Sequence, residues 1–177
     1  MVYVFLADGF EEVEAIAPID FLRRCGVSVT TVSLVPGPVR GAHGISVFTD
    51  QTLSEAEFSD AAMIVLPGGM PGTANLDACP QMSEILASVS EKGGFLAAIC
   101  AAPLVLGKRG YLEGKRAVCY PGFESDLLGA TVVSSPVVRD GNVITAKSAG
   151  VAWEFGYTLA EVLVGRDVCE TVRKNLF

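Results

Sequence analysis

Positive charge is scarce in this chain of 177 residues: 13 Lys+Arg stand against 20 Asp+Glu, a formal net charge of −7. Nucleic acid is excluded as an expected partner, because binding it requires clustered cations that neutralise phosphates. Long apolar runs are missing as well. The longest mostly apolar stretch, Phe95 to Leu106, has 12 residues and contains Pro103, well short of the roughly 20 needed to cross a bilayer. No membrane partner is expected. Val2-Tyr3-Val4-Phe5-Leu6 runs straight into Ala7-Asp8-Gly9 without the basic flank and apolar core of a secretory signal, so the expected location is the cytoplasm. The five cysteines, Cys25, Cys79, Cys100, Cys119 and Cys169, form no C-x-x-C pair, which argues against a disulfide framework or a zinc cage. Histidine occurs once, at His43. A composition that is 50% hydrophobic and 19% charged excludes disorder, and the length suits one domain over residues 1–177.

The apolar pattern alternates between two periods. Val2 to Leu6, Ala61 to Leu66 and Phe95 to Ile99 are short apolar runs closed by turn residues or a helix start, the signature of buried strands. Glu11 to Cys25 reads as a helix, with acids in its first turns, Arg23-Arg24 in its last, Gly26 as its stop and a kink expected at Pro18. Met82, Ile85, Leu86 and Val89 recur at helical spacing, and Ala101 to Gly107 starts another helix with Pro103 in its first turn. Val27 to Leu34 is a further strand, and Val39 to Thr49 is expected to leave the main sheet as a hairpin or irregular ribbon. Strands are also expected at Ala117-Val118, Thr131 to Val133, Val137-Val138 and Val143 to Thr145, with helices after them over Val151 to Val164 and Asp167 to Leu176. Buried strands alternating with helices predict an α/β fold, an open and mostly parallel sheet covered on both faces.

Ligands of such sheets bind beyond the carboxyl ends of the strands, which directs attention to the residues just after Leu6, Leu66 and Ile99. Cys100 lies between a buried strand and a helix start, where a sharp turn exposes a nucleophile and the helix N-terminus favours a thiolate. It also reads as one more buried, inert thiol. Gly68-Gly69 is either a plain strand-ending turn or a place where backbone N–H groups join that of Ala101 around an anion. Glu14 has apolar residues three, four, seven and eight positions on, but Glu12 meets the test almost as well, and spacing does not choose between them. His43, flanked by glycines in the expected hairpin, reads as a solvated loop residue.

Together, Asp8-Gly9-Phe10-Glu11-Glu12-Val13-Glu14, Val65-Leu66-Pro67-Gly68-Gly69, Ala97-Ala98-Ile99-Cys100-Ala101-Ala102-Pro103 and the closing Trp153-Glu154-Phe155 resemble the ThiJ/PfpI (DJ-one) superfamily. Within it they are most similar to the branch of the Parkinson-associated protein and its bacterial relatives. The resemblance spans nearly the whole chain and implies a flavodoxin-like sandwich with Cys100 as elbow nucleophile and Glu14 as the carboxylate beside it. It also implies that the amides of Gly69 and Ala101, beside Gly68, bind an oxyanion. Tyr120 stands where several relatives place a pocket histidine, and His43 stands near a hairpin arginine of others; both are candidate pocket residues. The protease branch has a histidine immediately after its nucleophile. Ala101 occupies that position here, which disfavours peptidase activity. The resemblance implies a homodimer acting without a cofactor on small 2-oxoaldehydes or their adducts, as a glyoxalase or deglycase protecting against carbonyl and oxidative stress. The alternative is a non-enzymatic sensor or chaperone that works through oxidation of Cys100.

Overall fold

A computed structural model describes residues 1–176. In chain order the elements are β1 (Val2–Leu6), α1 (Glu12–Arg24), β2 (Val29–Ser33), β3 (Val39–Arg40), β4 (Ser46–Val47), β5 (Gln51–Thr52), β6 (Met63–Leu66), α2 (Gly72–Ala78), α3 (Met82–Glu91) and β7 (Phe95–Ile99). They continue with α4 (Pro103–Gly107), β8 (Arg116–Ala117), β9 (Thr131–Val132), β10 (Val137–Asp140), β11 (Val143–Ala146), α5 (Ala152–Val164) and α6 (Arg166–Lys174). Seven strands form one sheet in the order β10-β11-β7-β6-β1-β2-β5. Every neighbouring pair in it is parallel except β10 with β11.

Side-chain alternation along β1 explains why both faces are covered. Val2, Val4 and Leu6 join Phe21 and Leu22 of α1, Phe155 and Leu159 of α5 and Cys169 of α6 in one apolar core. Tyr3 and Phe5 point the other way, into a second core with Leu76 of α2, Met82 and Leu86 of α3 and Val105 of α4. This α/β sandwich is the expected flavodoxin-like arrangement. The chain continues as helix through Pro18, so the expected kink does not break α1. Gly156 lets α5 come close there, since a Cβ on it would lie 2.9 Å from Pro18 Cα.

The 39–49 excursion leaves the sheet as the antiparallel pair β3–β4. The chain then returns as the edge strand β5, which is too short and polar to give an alternation signal. The helix α2 also went unanticipated. It begins at Gly72 and buries only Gly72, Thr73 and Leu76, too few apolar positions to show a period. The expected Ala101–Gly107 helix starts at Pro103 and has only 5 residues. Among the described residues, no helix is long and apolar enough to cross a membrane.

Candidate active site

The carboxyl ends of β1, β6, β7 and β11 meet at Cys100. β7 delivers the chain to the elbow, where Cys100 N–H donates to the Ala146 carbonyl at 2.9 Å and Tyr120 N–H donates to the Cys100 carbonyl at 2.8 Å. Held this way, Cys100 has φ 65°, the only positive φ outside glycine among the described residues. A non-glycine residue in that region is strained unless its surroundings enforce it. Cys100 is also the one cysteine that is not buried.

Helix α1 brings Glu14 to the same point with no solvent exposure. Its Oε2 accepts from Gly68 N–H at 3.0 Å, while Oε1 is buried without a hydrogen-bond partner. Burial drives the carboxyl up to about 7, and the Glu11 charge adds to that rise; the Cys100 thiol and Gly68 N–H oppose it only in part. The thiol is itself pushed up to about 12, by burial first and then by the Glu14 carboxylate, against the pull of the Ala101 and Gly69 N–H groups. Each group therefore resists ionisation while the other is charged, and the pair retains at least one proton across neutral pH. The expected thiolate-stabilising helix is replaced by something more local. A 5-residue α4 has little macrodipole, and the stabilisation comes from individual amides.

Gly68 is required at this junction: a Cβ there would lie 2.5 Å from Glu14 Oε2 and 2.6 Å from Cys100 Cβ. Gly69, at φ +87°, turns its amide towards the sulfur. A cleft of about 420 Å³ opens over Cys100, and Glu11, Glu14, Gly69, Ala101 and Tyr120 line it. Met70, Phe123 and the Ser148–Gly150 turn complete the wall without having been anticipated. The turn comes directly after β11, so a strand end was the available signal for it. A larger cavity of about 580 Å³ lies against α1, α5 and α6, where Phe21, Trp153, Tyr157 and Arg173 surround no nucleophile.

His43, a candidate pocket residue, is not among the residues lining the cleft. The β3–β4 hairpin carries it to the start of α1, where Nδ1 lies 3.1 Å from Glu12 Oε2 and 3.3 Å from Glu11 Oε1. Glu12 Oε1 accepts the N–H groups of His43 at 2.8 Å and Ile45 at 3.2 Å. Those bonds account for Glu12, the residue that spacing could not separate from Glu14. Its carboxylate anchors the hairpin. The Glu12 and Glu11 carboxylates in turn raise the imidazole above its ordinary value.

The sequence matches the DJ-1/PfpI family over residues 1–162. The chain is 37% identical over 176 residues to protein dj-1beta of Drosophila melanogaster, covering 98% of this chain and 94% of that protein. It is 32% identical to the glutathione-independent glyoxalase DJR-1.2 of Caenorhabditis elegans, with 94% and 89% covered, and 34% identical to a protein named as a deglycase in Pyrococcus abyssi, with 86% and 93% covered. The solved structure of oxidized Toxoplasma gondii DJ-1 superposes with a TM-score of 0.94 at 32% identity, covering 99% of this chain and 96% of that one. The chain belongs to the DJ-1/PfpI family.

Proposed function

We propose that the protein converts small 2-oxoaldehydes to 2-hydroxy acids, with Cys100 as nucleophile and Glu14 as proton carrier. The observation that carries this reading is the fully buried Glu14 carboxyl held beside a strained, partly exposed thiol. When Glu14 holds the shared proton, the sulfur is a thiolate among the Gly69 and Ala101 amides. It adds to the aldehyde carbon of methylglyoxal, and the new alkoxide takes the Glu14 proton to give a hemithioacetal. Glu14, now a carboxylate, removes the proton from that carbon and returns it to the neighbouring carbonyl carbon, while the hemithioacetal hydroxyl proton passes to the neighbouring oxygen, leaving a thioester of the 2-hydroxy acid. Water cleaves the thioester to lactate and frees the thiol, so the sum is methylglyoxal plus water to lactic acid. Every step uses this chain and water. Relatives named as a glyoxalase and a deglycase support a carbonyl substrate.

The test is steady-state turnover of methylglyoxal in metal-free, glutathione-free buffer. The wild type should form lactate, and Cys100→Ser should be slower by on the order of 10³-fold or more. Equal rates, or no lactate from the wild type, would remove the proposal.

A second reading has its own support, because Cys100 is the one cysteine of five not buried. Peroxide would then take its sulfur to a sulfinate beside the same amides, making the site a redox sensor. Peptide mass spectrometry after limiting peroxide should find Cys100 modified before Cys119 or Cys169. We also propose a homodimer. Val13 and Ile16 on α1 and Trp153 on α5 leave apolar surface exposed that a two-fold partner would cover. A monomeric mass by light scattering at micromolar concentration would exclude it.

A further inference from the structure

Away from the sulfur, one other set of chemically capable side chains converges. Glu11, Glu12 and His43 bring one donor atom each to within 4.8 Å of one another. Nδ1 of His43 stands 3.1 Å from Glu12 Oε2 and 3.3 Å from Glu11 Oε1. Bonds of about 2.0–2.1 Å, the lengths zinc makes to nitrogen and oxygen, give a tetrahedron with edges of about 3.3–3.4 Å. Both imidazole-to-carboxylate separations are close to that edge.

We propose that Glu11, Glu12 and His43 form a site for a divalent first-row cation with the ligand preferences of zinc. One imidazole nitrogen and two carboxylates would hold it, and the fourth position would remain open to water. Imidazole together with carboxylate selects such an ion over magnesium or calcium, which favour oxygen donors alone.

The support around the ligands is already built. The N–H groups of His43 and Ile45 fix Glu12 Oε1, leaving Oε2 aimed at the imidazole. Gly41 presses against the Glu12 side chain so closely that a Cβ would collide with it. His43 is 69% exposed, so an ion has an open path. The positive end of the α1 dipole opposes a cation, but two carboxylates at that end outweigh a partial charge. Coordination needs the lone pair of Nδ1, so a proton on that nitrogen competes with the ion. The site is independent of the aldehyde chemistry, although Glu11 also lines the cleft and would place the ion at its rim.

Zinc titration of the metal-free wild type, His43→Gln and Cys100→Ser tests this, because the Cys100–Glu14 pair is the competing ligand set. Calorimetry should show one ion bound by the wild type. His43→Gln should lose about 10–100-fold in affinity, and Cys100→Ser should bind as the wild type does. Cobalt in place of zinc should give visible ligand-field bands without a thiolate charge-transfer band. Glu11→Gln gives a second check: it removes one ligand charge, leaves the Glu12 backbone contacts in place and should weaken binding as well. Absence of binding by the wild type would mean an ion pair only and overturns the proposal. Full retention in His43→Gln, or loss in Cys100→Ser, overturns it equally.

Discussion

Glu12 and Glu14 lie two residues apart on one helix, both are buried, and their carboxyls titrate in opposite directions. Burial raises both. For Glu12 it is outweighed by the residue's own backbone N–H and by bonds from the His43 ring, His43 N–H and Ile45 N–H, so the carboxyl falls below its ordinary value. Glu14 receives one backbone N–H and the Cys100 thiol, faces the Glu11 charge, and ends near 7. The donors aimed at Glu12, together with the deeper burial of Glu14, separate an anchor from a reactive acid. Within the first turn of α1, the side facing the hairpin favours a charged carboxylate and the side facing the cleft favours a protonated one.

The strongest way to break this contrast is to remove the proton carrier and keep its shape. Glu14→Gln still accepts from Gly68 and can donate to a thiolate, but it cannot take up a proton. On the proposed mechanism kcat should fall about 10²–10⁴-fold, with KM for methylglyoxal changed much less. An unchanged kcat would show that Glu14 is not the proton carrier, even with Cys100 confirmed as reactive.

The division between the two glutamates also marks where the sequence stopped being informative. Apolar residues at helical intervals after Glu12 and Glu14 marked either one as able to face inward without choosing between them, and the fold buries both. The distinction between them arrives from residues 41–45, on a hairpin whose docking onto α1 no local pattern records. The elbow was legible because a buried strand, a cysteine and a helix-starting proline succeed one another in the chain. Met70, Phe123 and Ser148–Gly150 were not, since their place in the cleft wall depends on the order of strands in the sheet. The same sheet order explains β5, a polar two-residue edge recognisable only by its pairing with β2.

The second test is thermodynamic. The folded protein holds the Glu14 proton up to about 7, against an ordinary value of 4.5. Between those values the native state binds more protons than the unfolded chain, so this group lowers stability as pH rises through that window. The displacement from 4.5 to about 7 corresponds to about 3 kcal/mol. Glu14→Gln removes the penalty. Its stability relative to wild type should therefore rise by about that amount between pH 4 and pH 8, read from urea unfolding. A gap that stays flat with pH would mean that the buried carboxyl is not held protonated.

Two glycines provide a matched pair of steric tests. A Cβ on Gly68 would press on Glu14 and Cys100, and one on Gly41 would press on Glu12. Overpacking of this kind costs about 1–3 kcal/mol, so Gly68→Ala and Gly41→Ala should both melt earlier. Only Gly68→Ala should shift the pH at which Cys100 becomes open to alkylation, because only it displaces the carboxyl that shares the thiol's proton. A similar shift in both variants would mean that hairpin and cleft are one coupled unit.

The smallest expected effect belongs to Glu12→Gln, and its sign mirrors that of Glu14. The amide oxygen can still accept from His43 and Ile45 N–H, so the hairpin stays docked and only the charge is lost. Glu12 has a folded value below its ordinary 4.5, so its ionised form stabilises the fold above that pH, and the contribution disappears as pH falls through the lowered folded value. The imidazole works in the other direction. Its raised value means that the His43 contribution is complete below its ordinary 6.5 and fades as pH rises through the folded value. At pH 6 the carboxylate is charged and the imidazole still largely protonated, so the pair is strongest there. With His43 69% exposed, solvent screens the pair, and the loss in Glu12→Gln at pH 6 should be smaller than the other effects. It should shrink in high salt and be smaller at pH 3 than at pH 6, because the stabilisation by ionised Glu12 is lost as pH falls through its lowered folded value. Urea midpoints at the two pH values measure it directly. A deficit of the same size at pH 3 and pH 6 would assign the role of Glu12 to shape and not to charge, and the contrast with Glu14 would then rest on the cleft alone.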